Sequence, residues 1–313
     1  MNDPKKAGQC VTRRNFMGVT TAVAAGALMT QASTGQTSDT KTSKRNPICV
    51  FTKPFNSLSF NELSDRIAEL GFDGIEAPIR KGGHVDPDQV EQKLPELVEA
   101  LKKRDLEITI MTSDINDPDA PATERVLRTA AALGIKRYRM KYFKYDLKQS
   151  VLSQIDQWRP KLKQLAAMNH DFGLTGVYQN HAGTNYLGAP LWDLRLALQD
   201  IAPSDIGVAY DIRHATAEGG MSWPVTFNMI QPSIDTVYVK DFVWKEGKKP
   251  SNVPLGTGRI DPNFFKMLAD TGFNGPISLH EEYLDHRNPD LVPEHLAAIK
   301  ADLATLRAML KTH

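Results

Sequence analysis

From residue 47 onward the chain alternates short β-rich runs with amphipathic helical runs, eight times over. The strand candidates are 47–53, 73–78, 106–113, 136–142, 174–181, 205–211, 235–241 and 276–282. Helical periodicity fills the intervals near 59–70, 87–104, 121–133, 148–170, 190–201, 221–231, 261–271 and 291–311. Regular βα alternation calls for a parallel sheet covered by helices, and eight units call for closure. The expected fold is α/β, a single-domain (βα)8 TIM barrel over 47–313. A two-domain doubly wound fold is the alternative, but no GxGxxG or P-loop occupies the first βα turn, so no nucleotide cofactor is expected.

The punctuation agrees. Ser59 and Glu62 form a capping box ahead of Leu63, Ile67 and Leu70. Asp86-Pro87 and Asp261-Pro262 each place a cap before a proline at the first helical position. Gly71, Gly134, Gly173 and Gly272 stand where helices end. Pro95 and Pro160 fall inside helical stretches and predict a kink or a late start there.

The N-terminus has a different character. Residues 12–17 read TRRNFM and precede a weakly apolar run from Phe16 to Met29, too short to span a bilayer. This resembles a twin-arginine export signal, expected over 1–32 with cleavage after Ala32. The Ser/Thr/Lys-rich stretch 33–46 reads as a flexible linker. The implied location is the periplasm or beyond, with the twin-arginine translocase as a transient partner and no stable membrane anchor. The formal charge is +1 for the whole chain, and residues 1–32 carry four basic groups against one acid. The remainder is therefore slightly acidic, which argues against nucleic acid as a partner. Of the two cysteines, Cys10 lies in the leader, so Cys49 has no partner for a disulfide in the mature chain.

Alternation also sorts the strand faces. Outward aliphatics at Ile48 and Val50, Ile75 and Ala77, Ile206 and Val208, Val237 and Val239, and Ile277 and Leu279 leave the other face to the barrel interior. Inward and near the C-terminal ends lie Lys53, Glu76, Asp211, Tyr238, Lys240, His280 and Glu282. The fifth strand, LTGVYQNH, is ambiguous by pattern; Gln179 and His181 are placed inside. Ionisable groups converging on one mouth are what acid–base chemistry requires, since each perturbs its neighbours' pKa values. A structural ion-pair network is the competing explanation.

At these strand ends the sequence resembles the xylose isomerase-like barrels, the sugar isomerase/epimerase group. The resemblance covers 47–311 and rests on GFDGIE at 71–76, YQNHAG at 178–183, YDIRHA at 210–215, VKDF at 239–242, PLGTGRID at 254–261 and GPISLHEEY at 275–283. It implies a carbohydrate substrate and a divalent ion (Mn, Mg, Co or Zn) held by Glu, Asp, His and Glu. Asp211 matches the family aspartate and His214 the histidine after it. Gln179 stands at the first glutamate position, Tyr238 at the strand-7 histidine, and the last glutamate falls on His280 or Glu282. Two options remain open: a changed metal set of His181, Asp211, His280 and Glu282, or catalysis without metal in which Lys240 and the histidines supply positive charge.

The expected activity is isomerisation, epimerisation or elimination by proton abstraction next to a sugar carbonyl, on a non-phosphorylated sugar, keto-sugar or glycoside. Glu282 or Asp211 is the expected base, and Lys240 and His181 polarise the carbonyl. Lys53, Glu76, Gln179, Asn180, Arg213, His214 and Tyr238 complete the substrate-binding set. Trp192, Trp223 and Trp244 are candidates for stacking on a sugar ring. A non-catalytic sugar-binding protein on the same scaffold is the alternative, and a nuclease of this fold is disfavoured by charge.

Overall fold

The computed structural model describes residues 45–246 and 249–311. The proposed signal peptide and most of the linker lie outside the described residues. The linker's last two residues are not free, however. Arg45 pairs with Asp73, and Asn46 Nδ2 donates to the carbonyls of Phe273 and Gly275.

Eight parallel strands close into a barrel: β1 (Ile48–Phe51), β2 (Gly74–Pro78), β3 (Glu107–Thr112), β4 (Arg137–Arg139), β5 (Thr175–Gln179), β6 (Ile206–Asp211), β7 (Ile234–Val239) and, eighth around the circle, β10 (Ile277–Leu279). Closure is direct, with Cys49 of β1 opposite both Gly74 and Ser278. Between β7 and β10 an antiparallel hairpin, β8 (Asp241–Lys245) and β9 (Lys249–Val253), stands apart from the barrel sheet. Alternation alone does not reveal this hairpin, because its second strand carries Pro250 and little aliphatic content.

The helices are α1 (Phe60–Leu70), α2 (Val90–Lys102), α3 (Thr123–Ala132), α4 (Val151–Phe172), α5 (Trp192–Ala197), α6 (Ile212–Gly219), α7 (Trp223–Ile230), α8 (Asn263–Asp270) and α9 (Val292–Lys311). The Ser59–Glu62 capping box forms in full, and Gly71 and Gly173 end α1 and α4 in the left-handed conformation. Pro95 and Pro160 lie within α2 and α4, neither of which they delay: α4 runs uninterrupted for 22 residues. Helix α6 was not expected. Asp211 ends β6 and caps α6 at once, its carboxylate accepting from His214 N–H at 3.0 Å.

Outward strand residues such as Val50, Ile75, Val208, Val237 and Ile277 join the apolar layer beneath the helices. Inside the barrel a small separate cluster of Cys49, Ile110, Val177, Ala209 and Tyr238 fills the lower interior. Trp223 is buried against Phe264 in the outer core, whereas Trp192 and Trp244 are exposed.

The loop 254–261 is tied down by one side chain. Asp241 accepts backbone N–H bonds from Phe242, Gly256, Gly258, Arg259 and Ile260 at 2.8–3.1 Å. A Cβ at Gly258 would stand 2.2 Å from Asp241 Oδ1, so only glycine admits this approach. The VKDF and PLGTGRID motifs are thus two halves of one structural lock.

Candidate active site

The centre of the mouth is Lys240, just past β7. Its ammonium lies 2.7 Å from Glu282 Oε2 and 3.2 Å from Asp211 Oδ2, with Asp211 fully buried and Glu282 about a quarter exposed. Burial by itself would neutralise this lysine, but Asp211 and Glu282 outweigh burial and raise its pKa. Burial would likewise raise Glu282; Lys240, His280 and Lys53 instead hold its carboxyl well below the usual carboxylate range. Both partners therefore stay charged, and the pair is a true ion pair.

Asp211 is positioned from every side. Its Oδ2 accepts from Gln179 Nε2 at 2.7 Å. Asn180 clamps its backbone, with Oδ1 accepting from Asp211 N–H at 2.7 Å and Nδ2 donating to the Asp211 carbonyl at 3.1 Å. Gln179 in turn accepts through Oε1 from Arg139 at 3.0 Å and from the Tyr142 hydroxyl. With donors on one side and a carboxylate on the other, the amide orientation is determined. A carboxylate at position 179 would face Asp211 without a donor; glutamine supplies one.

A second hub lies deeper. Glu76 is fully buried and accepts from Thr112 Oγ1, from Ser278 Oγ at 2.7 Å and from His280 Nε2 at 2.8 Å, with Arg139 3.7 Å away. Burial opposes its ionisation, yet His280 and Arg139 hold its pKa down to about 2. His280 is turned into this hub, between the rings of Phe51 and Tyr238. Tyr238 is fully buried in the inner layer.

His181 and His214 stack at 4.1 Å between centroids. Burial and then Lys240 depress His181 to about 4, so it is neutral at physiological pH. His181 Nδ1 is 2.8 Å from the Ala182 carbonyl and therefore carries the proton, which leaves a lone pair on Nε2. As a neutral ring of this tautomer it offers a lone pair to the mouth. His214 Nδ1 faces the Arg213 guanidinium at 2.9 Å, and burial followed by Lys240 keeps it neutral too. Arg213 is occupied with the hairpin, donating to Asn252 Oδ1 at 3.0 Å and lying over the Phe242 ring. Asn180 and Arg213 thus shape the site from behind.

The residues do not fit a divalent ion of the type the resemblance implies. Lys240 stands between the two carboxylates that would bind one. Gln179 presents its NH₂, not its carbonyl, to Asp211, and His280 is committed to Glu76. Among the described residues no three His, Cys, Asp or Glu side chains are grouped as metal ligands.

Two functional residues escape the face sorting. Arg139 and Tyr142, from β4 and just after it, link Glu76 to Gln179. Their signal was present in 136–142, where Arg137 and Arg139 alternate with Tyr138 and Met140.

The xylose isomerase-like TIM barrel family matches residues 64–308. No curated protein sequence matches the chain. The 3-keto-D-glucoside 4-epimerase from E. coli is a similar solved structure, with 18% identity, TM-score 0.62, and 84% of this chain and 100% of that one covered. L-ribulose 3-epimerase superposes with TM-score 0.67 at 15% identity, covering 85% and 95%. D-psicose 3-epimerase from Clostridium cellulolyticum H10 gives TM-score 0.64 at 13% identity, covering 84% and 99%. At such identities the likeness is one of fold alone. The family match spans most of the chain, and the protein belongs to the xylose isomerase-like TIM barrel family.

Proposed function

We propose that this protein is a sugar isomerase/epimerase-like enzyme that removes a proton next to a sugar carbonyl without a metal ion. The observation that carries this reading is the Lys240 ammonium shared between Asp211 and Glu282 at the barrel mouth. Three fold relatives named as sugar epimerases support the substrate class.

Glu282 takes the proton from the carbon beside the carbonyl. The C–H electron pair moves into the C–C bond, and the carbonyl electrons move to oxygen, giving an enediolate. Lys240 stabilises that oxyanion as a fixed cation. While Glu282 is fully paired with Lys240 it is a weak base. A carbonyl oxygen that draws on the same ammonium loosens the pairing and restores basicity. Gln179 and Asp211 keep Lys240 in place. His181 Nε2, across two intervening strands from Glu282, takes a proton from solvent and delivers it to the opposite face of the enediolate, while Glu282 passes the abstracted proton to solvent. Delivery to the same carbon from the opposite face gives an epimer, and delivery to the neighbouring carbon, with the adjacent hydroxyl proton passing to the former carbonyl oxygen, gives an isomer.

The substrate is a free or oxidised sugar rather than a cytoplasmic sugar phosphate if residues 1–32 direct export, which is the reading proposed for them. A panel of keto-sugars incubated with the protein in D₂O tests the chemistry. Solvent deuterium at a substrate carbon is the expected result. Sugars that bind without any exchange would sink the reading and leave a binding protein.

A further inference from the structure

Beside the Lys240 centre, the mouth opens into a recess of about 580 Å³, a volume that suits a monosaccharide. Its walls come from the ends of β1, β2 and β3 and from the loop after β10. They carry Lys53, Arg80, Lys81, His286 and Arg287, against a single carboxylate, Asp114. The chain as a whole is close to neutral, so this concentration of positive charge is local.

Many of the chain's other arginines are neutralised locally. Arg45, Arg104, Arg125, Arg128, Arg137 and Arg159 each pair with a carboxylate. Among the described residues, the side chains of Lys53, Arg80, Lys81 and Arg287 make no hydrogen bond or ion pair. Lys53 and Arg80 are half-buried, and burial depresses both of their pKa values. For Arg80 the nearby Arg139 adds to the effect. Partly desolvated like charges held together are costly unless an anion joins them. Lys53 couples the recess electrostatically to the reacting centre: it is felt by Glu282, and His286 feels both of them.

We propose that this recess binds an oxyanionic group of the substrate, so that the enzyme acts on an acidic sugar whose carboxylate or sulfate ester is held by Arg80, Lys81 and Arg287. The proposal rests on the sugar chemistry inferred above only for the identity of the substrate; anion capture stands by itself. The exposed Arg287 and Lys81 attract the anion, and the half-buried Arg80 is the group suited to bidentate pairing with it. Lys53 lies between the anion and Glu282.

Calorimetry at low ionic strength tests this with three probes: inorganic sulfate, D-glucuronate and D-glucose. Sulfate and D-glucuronate are expected to bind the wild-type protein, and D-glucose to bind at least about tenfold more weakly. Arg80→Gln combined with Arg287→Gln is expected to weaken both anions by about tenfold or more. Neither side chain makes a hydrogen bond or ion pair, and Arg80 feels the nearby charge of Asp114 and Glu76 against that of Arg139, so the double variant is expected to unfold close to the wild-type temperature; Lys81→Gln provides a milder second variant. Sulfate binding alone assigns the recess to tetrahedral oxyanions, whereas D-glucuronate binding assigns it to carboxylates. Absence of heat with both anions, or heat unchanged in the double variant, overturns the proposal. Glu282→Gln separates the two readings. It is expected to keep anion binding while losing proton exchange, and a fully active Glu282→Gln overturns the proton-transfer role without touching the anion site.

Discussion

Glu281 and Glu282 are consecutive carboxylates that leave the end of β10 in opposite directions. Glu282 turns into the barrel mouth to Lys240, and Glu281 turns outward to His295 of α9, to Tyr283 N–H and to Leu284 N–H. Glu281 is 2% exposed, so it is a buried bracket between the last strand and the last helix, not a dispensable surface acid.

The two therefore fail differently when made neutral. Glu282→Gln is expected to lower deuterium exchange by on the order of 10²-fold, the scale of a general base, with little change in melting temperature. Glu281→Gln is expected to cost about 1–3 kcal/mol of stability by disturbing a buried polar network, while the folded fraction keeps its activity. Thermal melts and exchange rates on both variants check this. A reversal of the two patterns would assign the base to the other residue.

Lys240 is the cation of the site, so removing it has two signatures. Lys240→Met is expected to lower exchange by about 10²-fold or more, since it deletes the oxyanion partner. Residual activity is expected to show an acidic limb moved to higher pH, because Lys240 is a main force holding the Glu282 carboxyl down. Prolonged dialysis against a chelator is expected to leave wild-type exchange unchanged. Loss of exchange on chelation, restored by a divalent ion, would contradict the role given to Lys240.

Asp302 of α9 gives a pH effect on stability of known sign. Burial raises it from 3.8 to about 6, against its bonds from Leu255 N–H and the Tyr283 hydroxyl and with help from Glu281 and Asp241. The folded protein therefore keeps a proton that the unfolded chain releases between those values. The associated stability is present below about pH 4 and lost as pH rises through about 6. Asp302→Asn is expected to gain melting temperature relative to wild type across that window and to hold a constant difference above it. A difference that stays flat from pH 4 to 7 would show that Asp302 titrates normally.

Replacing Arg13 and Arg14 together by Lys is expected to leave the protein in the cytoplasm, because the pair is read as an address rather than as an anchor. Fractionation of cells expressing the double variant decides it. Wild-type levels in the periplasm would remove the export reading and, with it, the argument against a phosphorylated substrate.

The alternating pattern of aliphatic residues determined the barrel. Period-two runs at 205–211, 235–241 and 276–282 have no other way to bury one face on helices, and the same alternation put Asp211, Lys240 and Glu282 on the inner face, where they are found. The pattern was blind where polar and aromatic residues alternate: Arg139 sits in such a run and reads as solvated until closure of the ring turns it inward. Tertiary structure alone decided the partners. Three strands bring Lys240 between Asp211 and Glu282, residues 29 and 42 positions away from it in sequence, and so convert an expected ligand set into an ion pair. It also separated Glu281 from Glu282, joined Asp241 to the 254–261 loop, and gathered Arg80 and Arg287 around one recess. Local periodicity specifies which face a side chain takes; the charge that meets it there depends on strands distant in sequence.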